Sequence, residues 1–177
     1  MISDEKLIWK IKYLSSSDAK DKLVRKYYDQ IYGYVYRHIL NVDDALDLTQ
    51  EIFIKAIHAL PCFDKKKSSF KTWLYTIATN KMTDWYRTQH FSDELTDNLP
   101  EKENFENIIT NRALTREILN FIKNIDYVSY QILELKFFSD LIFLDIAEIL
   151  SLPLSTVKTK YYKAIDICRK EFKNDRC

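Results

Sequence analysis

The chain of 177 residues is long enough for one ordinary domain or two small ones, and a hydrophobic fraction of 46% is sufficient for real cores. One glycine and three prolines leave few turn residues for a protein of many short strands, so composition favours an all-α fold of long helices with short connections. Charged residues make up 30% yet cancel to a net charge of +1, so any nucleic-acid contact must come from local segregation of charge.

In chain order, the start at Met1-Ile2-Ser3-Asp4-Glu5 is acidic and has no apolar leader segment. No apolar run approaches the roughly 20 residues a membrane span needs, so a soluble, cytoplasmic protein is expected. Leu23, Tyr27, Ile31, Tyr34 and Val35 recur at three- and four-residue spacing, an amphipathic stripe with Gly33 inside it as a close-packing position or a small local cost. Asp43 or Asp44 can cap the next helix, with Ala45, Leu48, Ile52 and Ala56 on its inner face and Pro61 at its end. Ser68 or Ser69 can cap a third, running through Trp73, Ile77 and Met82 towards Arg87.

An acidic stretch follows: residues 92–108 hold Asp93, Glu94, Asp97, Glu101, Glu103 and Glu106 against Lys102 alone, with little helical periodicity around Leu99-Pro100. This reads as an exposed linker, and a solvated surface loop would have the same composition. Beyond it, Ala113, Ile118, Ile122 and Ile125 mark one helix, and Asp126 can cap another through Ile132, Leu135 and Phe138. Two further helices are expected around Phe143–Leu150 and Ser155–Arg169. Cys62, Cys168 and Cys177 are odd in number and widely spaced, which fits a reducing compartment and argues against a disulfide framework or a zinc knuckle.

Three constellations carry chemistry. The last two helices, joined by Ser151-Leu152-Pro153-Leu154, read as a helix-turn-helix: Ile146, Ala147 and Ile149 face inward on the first, and Val157, Tyr161, Ala164 and Cys168 form the inner stripe of the second, which Ser155 can cap. That leaves Ser155, Thr156, Lys158, Thr159, Tyr162 and Lys163 outward, a set suited to a major groove, though also to a plain lysine-rich solvated face. Residues 63–87 interleave Lys65, Lys66, Lys67, Lys71, Lys81 and Arg87 with Phe63, Phe70, Trp73, Trp85 and Tyr86. Cations beside stackable aromatics are what single-stranded DNA requires, while helix aromatics more often face a core. Finally, Asp47, Gln50, Glu51, Ile54 and Ile57 fall opposite or beside the inner stripe of their helix, which suits a protein-binding face or a solvated acidic one.

Three segments, in order and correctly spaced, resemble the extracytoplasmic-function (ECF) sigma factors of the sigma-70 superfamily. Asp44-Ala-Leu-Asp-Leu-Thr-Gln-Glu-Ile-Phe-Ile-Lys-Ala is similar to the family's DAEDLVQEVFLRAW, and Phe70-Lys-Thr-Trp-Leu-Tyr-Thr-Ile-Ala-Thr-Asn-Lys to FRTWLYRIARN. Asp145-Ile-Ala-Glu-Ile-Leu-Ser-Leu-Pro-Leu-Ser-Thr-Val-Lys-Thr-Lys is similar to EIAEILGIPVGTVKSR. The resemblance implies two small helical domains, sigma region 2 over 1–91 and sigma region 4 over 111–177, joined by a flexible linker over 92–110. It implies core RNA polymerase (beta-prime clamp helices and beta flap) and promoter DNA as partners, an anti-sigma factor as a further expected partner, and neither metal, cofactor nor covalent chemistry. Asp44, Asp47, Gln50, Glu51, Phe53 and Ile57 are then the expected polymerase contacts. Lys65, Lys66, Lys67, Lys71, Asn80, Lys81, Trp85 and Arg87 would melt and hold the minus-ten element. Ser155, Thr156, Lys158, Thr159, Lys160, Tyr162 and Lys163 would read the minus-thirty-five element. The chain departs from the family where Ser151 and Ser155 replace glycines, where Ile142 replaces a capping serine, at Ile125-Asp126 in place of Leu-Pro, and at Tyr130 in place of Arg.

Two other function classes fit part of the chain. A stand-alone helix-turn-helix regulator leaves the acidic helix and residues 63–87 unexplained. A helical metalloenzyme using Asp43, Asp44, Asp47 and Glu51 lacks the expected E-x-x-H pairs, since His38, His58 and His90 are scattered.

Overall fold

The computed structural model describes residues 3–92, 117 and 121–172, the side chains of 89–92 excepted. The chain divides into two compact units, Met1–Pro100 and Glu101–Cys177. The described residues are helical, with short turns between helices. The expected linker of 92–110 lies, Ser92 apart, outside the described residues, as do Ala113, Ile118 and Cys177.

In the first unit α1 (Asp4–Leu14), α2 (Ser17–Ile39), α3 (Val42–Ala59) and α4 (Phe70–Ser92) surround one core, with a 3-10 turn at Leu60–Cys62. Helix α2 packs on the other three. Its expected stripe of Leu23, Tyr27, Ile31, Tyr34 and Val35 is buried throughout, and meets Leu7, Ile8 and Ile11 of α1, Ala45, Leu48, Ile52 and Ala56 of α3, and Leu74, Tyr75, Ala78 and Met82 of α4. Each large aliphatic side chain removed from water contributes about 1.5–3 kcal/mol, which is what holds four helices together. Two polar pairs are bonded inside: the Tyr34 and Thr79 hydroxyls are 3.0 Å apart, and Thr49 Oγ1 donates to the Ala45 carbonyl at 2.6 Å. Helix α1 is tied to α2 by Asp4, which accepts from Tyr27 Oη at 2.6 Å and pairs with Lys26. Burial, and then the Asp4 bond, push the Tyr27 hydroxyl well above the ordinary tyrosine range.

The caps differ from expectation at two helices. Asn41, not Asp43 or Asp44, caps α3: its side chain accepts from the Asp44 amide at 3.1 Å, leaving both aspartates in the first turn, where they favour the helix dipole. Ser69 caps α4 by accepting from the Thr72 amide at 3.0 Å, as expected. Ser155 does not cap the last helix; that helix begins one residue earlier, after Pro153, with no side-chain cap. Gly33 proves to be no close-packing position between helices. A Cβ there would meet only the end of the Arg37 side chain, so the residue is a local cost of helix propensity.

In the second unit residues 121–125 are helical and Asp126 caps α5 (Tyr127–Phe137). Helix α6 (Phe143–Ile149) and α7 (Leu154–Glu171) follow. Ile122, Tyr130, Leu133, Ala164 and Cys168 form a core cluster with Phe121, Tyr161, Ile165, Ile167 and Phe172 against it. Ile146, Ala147, Ile149 and Val157 are buried where α6 meets α7. The connection between them closes with Ser151 in the left-handed region at φ 52° and the Leu152 amide donating to the Ala147 carbonyl at 3.0 Å. Cys62 is exposed and Cys168 buried, each a free thiol, and burial raises the Cys168 thiol above its ordinary pKa.

Candidate polymerase and nucleic-acid interfaces

On α3 the 3.6-residue period divides the side chains between core and solvent. Asp47, Gln50, Glu51 and Ile54 are exposed, with Asp44 and Ile57 half-buried at the margin. Ile54 stands 59% exposed beside the acids, an aliphatic side chain with no intramolecular reason to face water. Phe53 is the exception among the expected polymerase contacts: it is buried, stacked on Tyr28 at 5.9 Å between ring centroids, and belongs to the core. The sequence period could have placed it there, because the inner stripe widens to Leu48-Thr49, Ile52-Phe53 and Ala56.

The basic segment is organised by two local devices. Between the 3-10 turn and α4, Asp64 accepts from the Lys66 amide at 2.9 Å through its carboxylate and from the Lys67 amide through its carbonyl, so Lys65, Lys66 and Lys67 fan outward from one turn. Lys65 comes within 3.4 Å of Glu5. Phe63, Phe70 and Trp73 pack on one another, with ring centroids 5.2–5.8 Å apart; Phe63 and Phe70 are buried and so out of any stacking role, and Trp73 is half-buried. Along α4, Asn80 is exposed, Lys71 is half-buried, and Arg87 is exposed and paired with Asp84 one turn back. Trp85 is half-buried, edge-on to Tyr86 at 5.1 Å, and Tyr86 donates its hydroxyl to the His38 carbonyl. Lys81 donates to Glu51 at 2.8 Å. That ion pair joins α4 to the acidic face of α3, so the two faces read separately from the sequence are adjacent in the fold. Sequence spacing gave no sign of it, since thirty residues separate the partners.

On α7, Ser155, Lys158, Thr159, Tyr162 and Lys163 are exposed and Thr156 is half-buried, one polar and basic face as the period predicts. Tyr162 is 58% exposed. Lys160 differs: it donates to the Asp126 carboxylate at 2.7 Å, with both side chains about one-third exposed. Asp126 also accepts from Ser129 Oγ at 2.6 Å and the Val128 amide at 3.2 Å. Burial alone would raise its pKa; the bonds from Lys160 and Ser129 outweigh that and hold the carboxyl below its ordinary range. These groups line a cleft of about 580 Å³ with Thr156, Thr159 and Lys163. Among the described residues no group of His, Cys, Asp or Glu could hold a metal ion, and no helix is long and apolar enough to cross a membrane.

Residues 23–91 match the family model for Sigma-70 region 2, which spans α2 to α4 with both faces of the first unit. RNA polymerase sigma factor YlaC of Bacillus subtilis is 32% identical over 158 residues, covering 83% of this chain and 88% of that protein. ECF RNA polymerase sigma factor SigW of the same organism is 29% identical over 170 residues, covering 89% and 90%. The fold is similar to that of the sigma factor RpoE from Bartonella quintana, solved with the anti-sigma factor NepR: TM-score 0.70, 19% identity, 88% of this chain and 98% of that one. With an acidic face on α3, a basic α4 and a helix-turn-helix in one chain, and with these relatives along most of its length, the chain belongs to the extracytoplasmic-function RNA polymerase sigma factors.

Proposed function

We propose that this sigma factor works in the cytoplasm, binds core RNA polymerase through the exposed face of α3, and directs it to promoters that it contacts at two places. Asp44, Asp47, Gln50, Glu51, Ile54 and Ile57 dock on the beta-prime clamp helices. The turn of Lys65, Lys66 and Lys67, with Lys71, Asn80, Lys81, Trp85 and Arg87, holds the minus-ten element as it opens. The outward face of α7 reads the minus-thirty-five duplex, and the beta flap is the expected neighbour of the second unit. Polymerase does the chemistry; this chain supplies binding free energy, against a cost of a few kcal/mol for extruding a base. Because the relative RpoE was solved with an anti-sigma factor, an inhibitor of that kind is a further partner for this chain.

The observation that carries this reading is the α3 face: acids and an exposed Ile54 side by side, with Lys81 of α4 paired to Glu51 at their edge. A protein-binding surface next to a nucleic-acid-binding one is what loading a melted strand onto polymerase requires. Run-off transcription from promoter fragments, with core polymerase and with or without this chain, tests the function directly. The α3 assignment is tested by Asp47→Lys with Glu51→Gln, since lysine at 51 would face Lys81 and confound the result. The double variant should lose co-purification with core by at least tenfold with an unchanged circular dichroism spectrum. Wild-type affinity would mean that α3 is not the docking helix.

A further inference from the structure

On the reading that α7 docks on the minus-thirty-five duplex, we propose that Asp126 is a positioning residue for promoter binding, holding Lys160 against the protein and so limiting how many phosphates the recognition helix neutralises. The carboxylate is fixed from its own side, by the Val128 amide and the Ser129 hydroxyl, so Lys160 comes to it rather than the reverse. The pair lies in the same cleft as Thr156, Thr159 and Lys163 of the outward face. A DNA strand approaching that face therefore meets a fixed negative charge and one lysine already engaged. Because Asp126 stays ionised at neutral pH, the restraint is present wherever transcription is measured. An ion pair of this exposure shifts an equilibrium by about fivefold or less, which bounds the gain expected from releasing Lys160.

Asp126→Asn separates charge from capping: the amide oxygen in the place of Oδ1 still accepts from the Val128 amide, while the NH2 in the place of Oδ2 donates to Ser129 Oγ and no longer attracts Lys160. The experiment measures association of the full chain, assembled with core polymerase, with a duplex fragment of a promoter it transcribes, across a salt series. Asp126→Asn should bind about two- to fivefold tighter at low salt, with the slope of log K against log salt steeper by about one, the signature of one added phosphate contact. In a Lys160→Met background the same substitution should leave the slope unchanged. A purely capping role, which asparagine keeps, would leave both affinity and slope unchanged, and that result would overturn the proposal. A steeper slope that survives Lys160→Met would also overturn it, since Asp126 would then act by direct repulsion. Lys158→Ala is the control for the underlying reading. If it weakens binding while Asp126→Asn is silent, only the role of Asp126 is lost; if neither changes binding, α7 is not the DNA-facing helix.

Discussion

At the scale of single residues, the left-handed positions show where this sequence departs from its most favourable choices. Ser151 and Leu40 end helices at φ 52° and 61°, conformations that cost a side-chain-bearing residue roughly 1–2 kcal/mol and glycine little. Leu40 is exposed, so its side chain recovers little of that cost by burial. Ser151→Gly should therefore stabilise the second unit by about 1 kcal/mol, read as a higher urea midpoint with unchanged m-value. An unchanged or lower midpoint would mean that Ser151 has a compensating role. The need for glycine here was visible in the sequence, as a departure from the family's turn. The cap of α3 was not: Asn41, Asp43 and Asp44 have nearly equal capping strength, and only the backbone path decides that the helix begins at Val42.

At the scale of elements, periodicity made the inner faces of α2, α3 and α6 legible, because burial of one stripe dominates the local energetics. What it missed were contacts made across the fold. The period allows Phe53 an inward place beside Ile52 but does not name its stacking partner, Tyr28 of α2. Lys160 lies on the outward half of α7, yet its partner is 34 residues away at the start of α5. The missing cap of α6 was legible: Ile142 occupies the cap position, makes no side-chain bond and is 57% exposed. Ile142→Ser should add about 1 kcal/mol, with Asp145 placed three residues on to complete a reciprocal cap, and should raise the thermal midpoint by a few degrees. The Asp126 link between α5 and α7 carries a pH dependence. Its carboxyl is depressed in the folded state, so its stabilisation is present above the ordinary carboxylate pKa near 3.8 and is lost as pH falls through the lower folded value. Below about pH 4 the stability advantage of wild type over Asp126→Asn should shrink towards zero; an advantage that persists at pH 2 would mean that charge at Asp126 contributes nothing.

At the scale of the whole molecule, the two surfaces proposed to face DNA lie in separate units and should fail in different ways. Lys158 stands one turn into α7, exposed and suited to phosphate on closed duplex. Asn80 and Lys81 lie on α4 beside the α3 face, where an unpaired strand would pass. Removing Lys81 also frees Glu51, so Asn80→Ala with Lys81→Ala should not weaken core binding and can even strengthen it. Lys158→Ala should reduce promoter association, and a template already carrying an unpaired minus-ten bubble should not repair that loss, because the missing contact lies outside the bubble. Asn80→Ala with Lys81→Ala should chiefly impair opening, and the bubble should restore part of the activity, since an opening cost of a few kcal/mol is then already met. Rescue should be incomplete, because contacts to the flipped base are still absent. Run-off transcription of both variants on duplex and bubble templates measures the two losses side by side. Equal rescue, or rescue of Lys158→Ala alone, would reverse the division of labour between the units, since the bubble supplies only what the α4 surface is argued to supply.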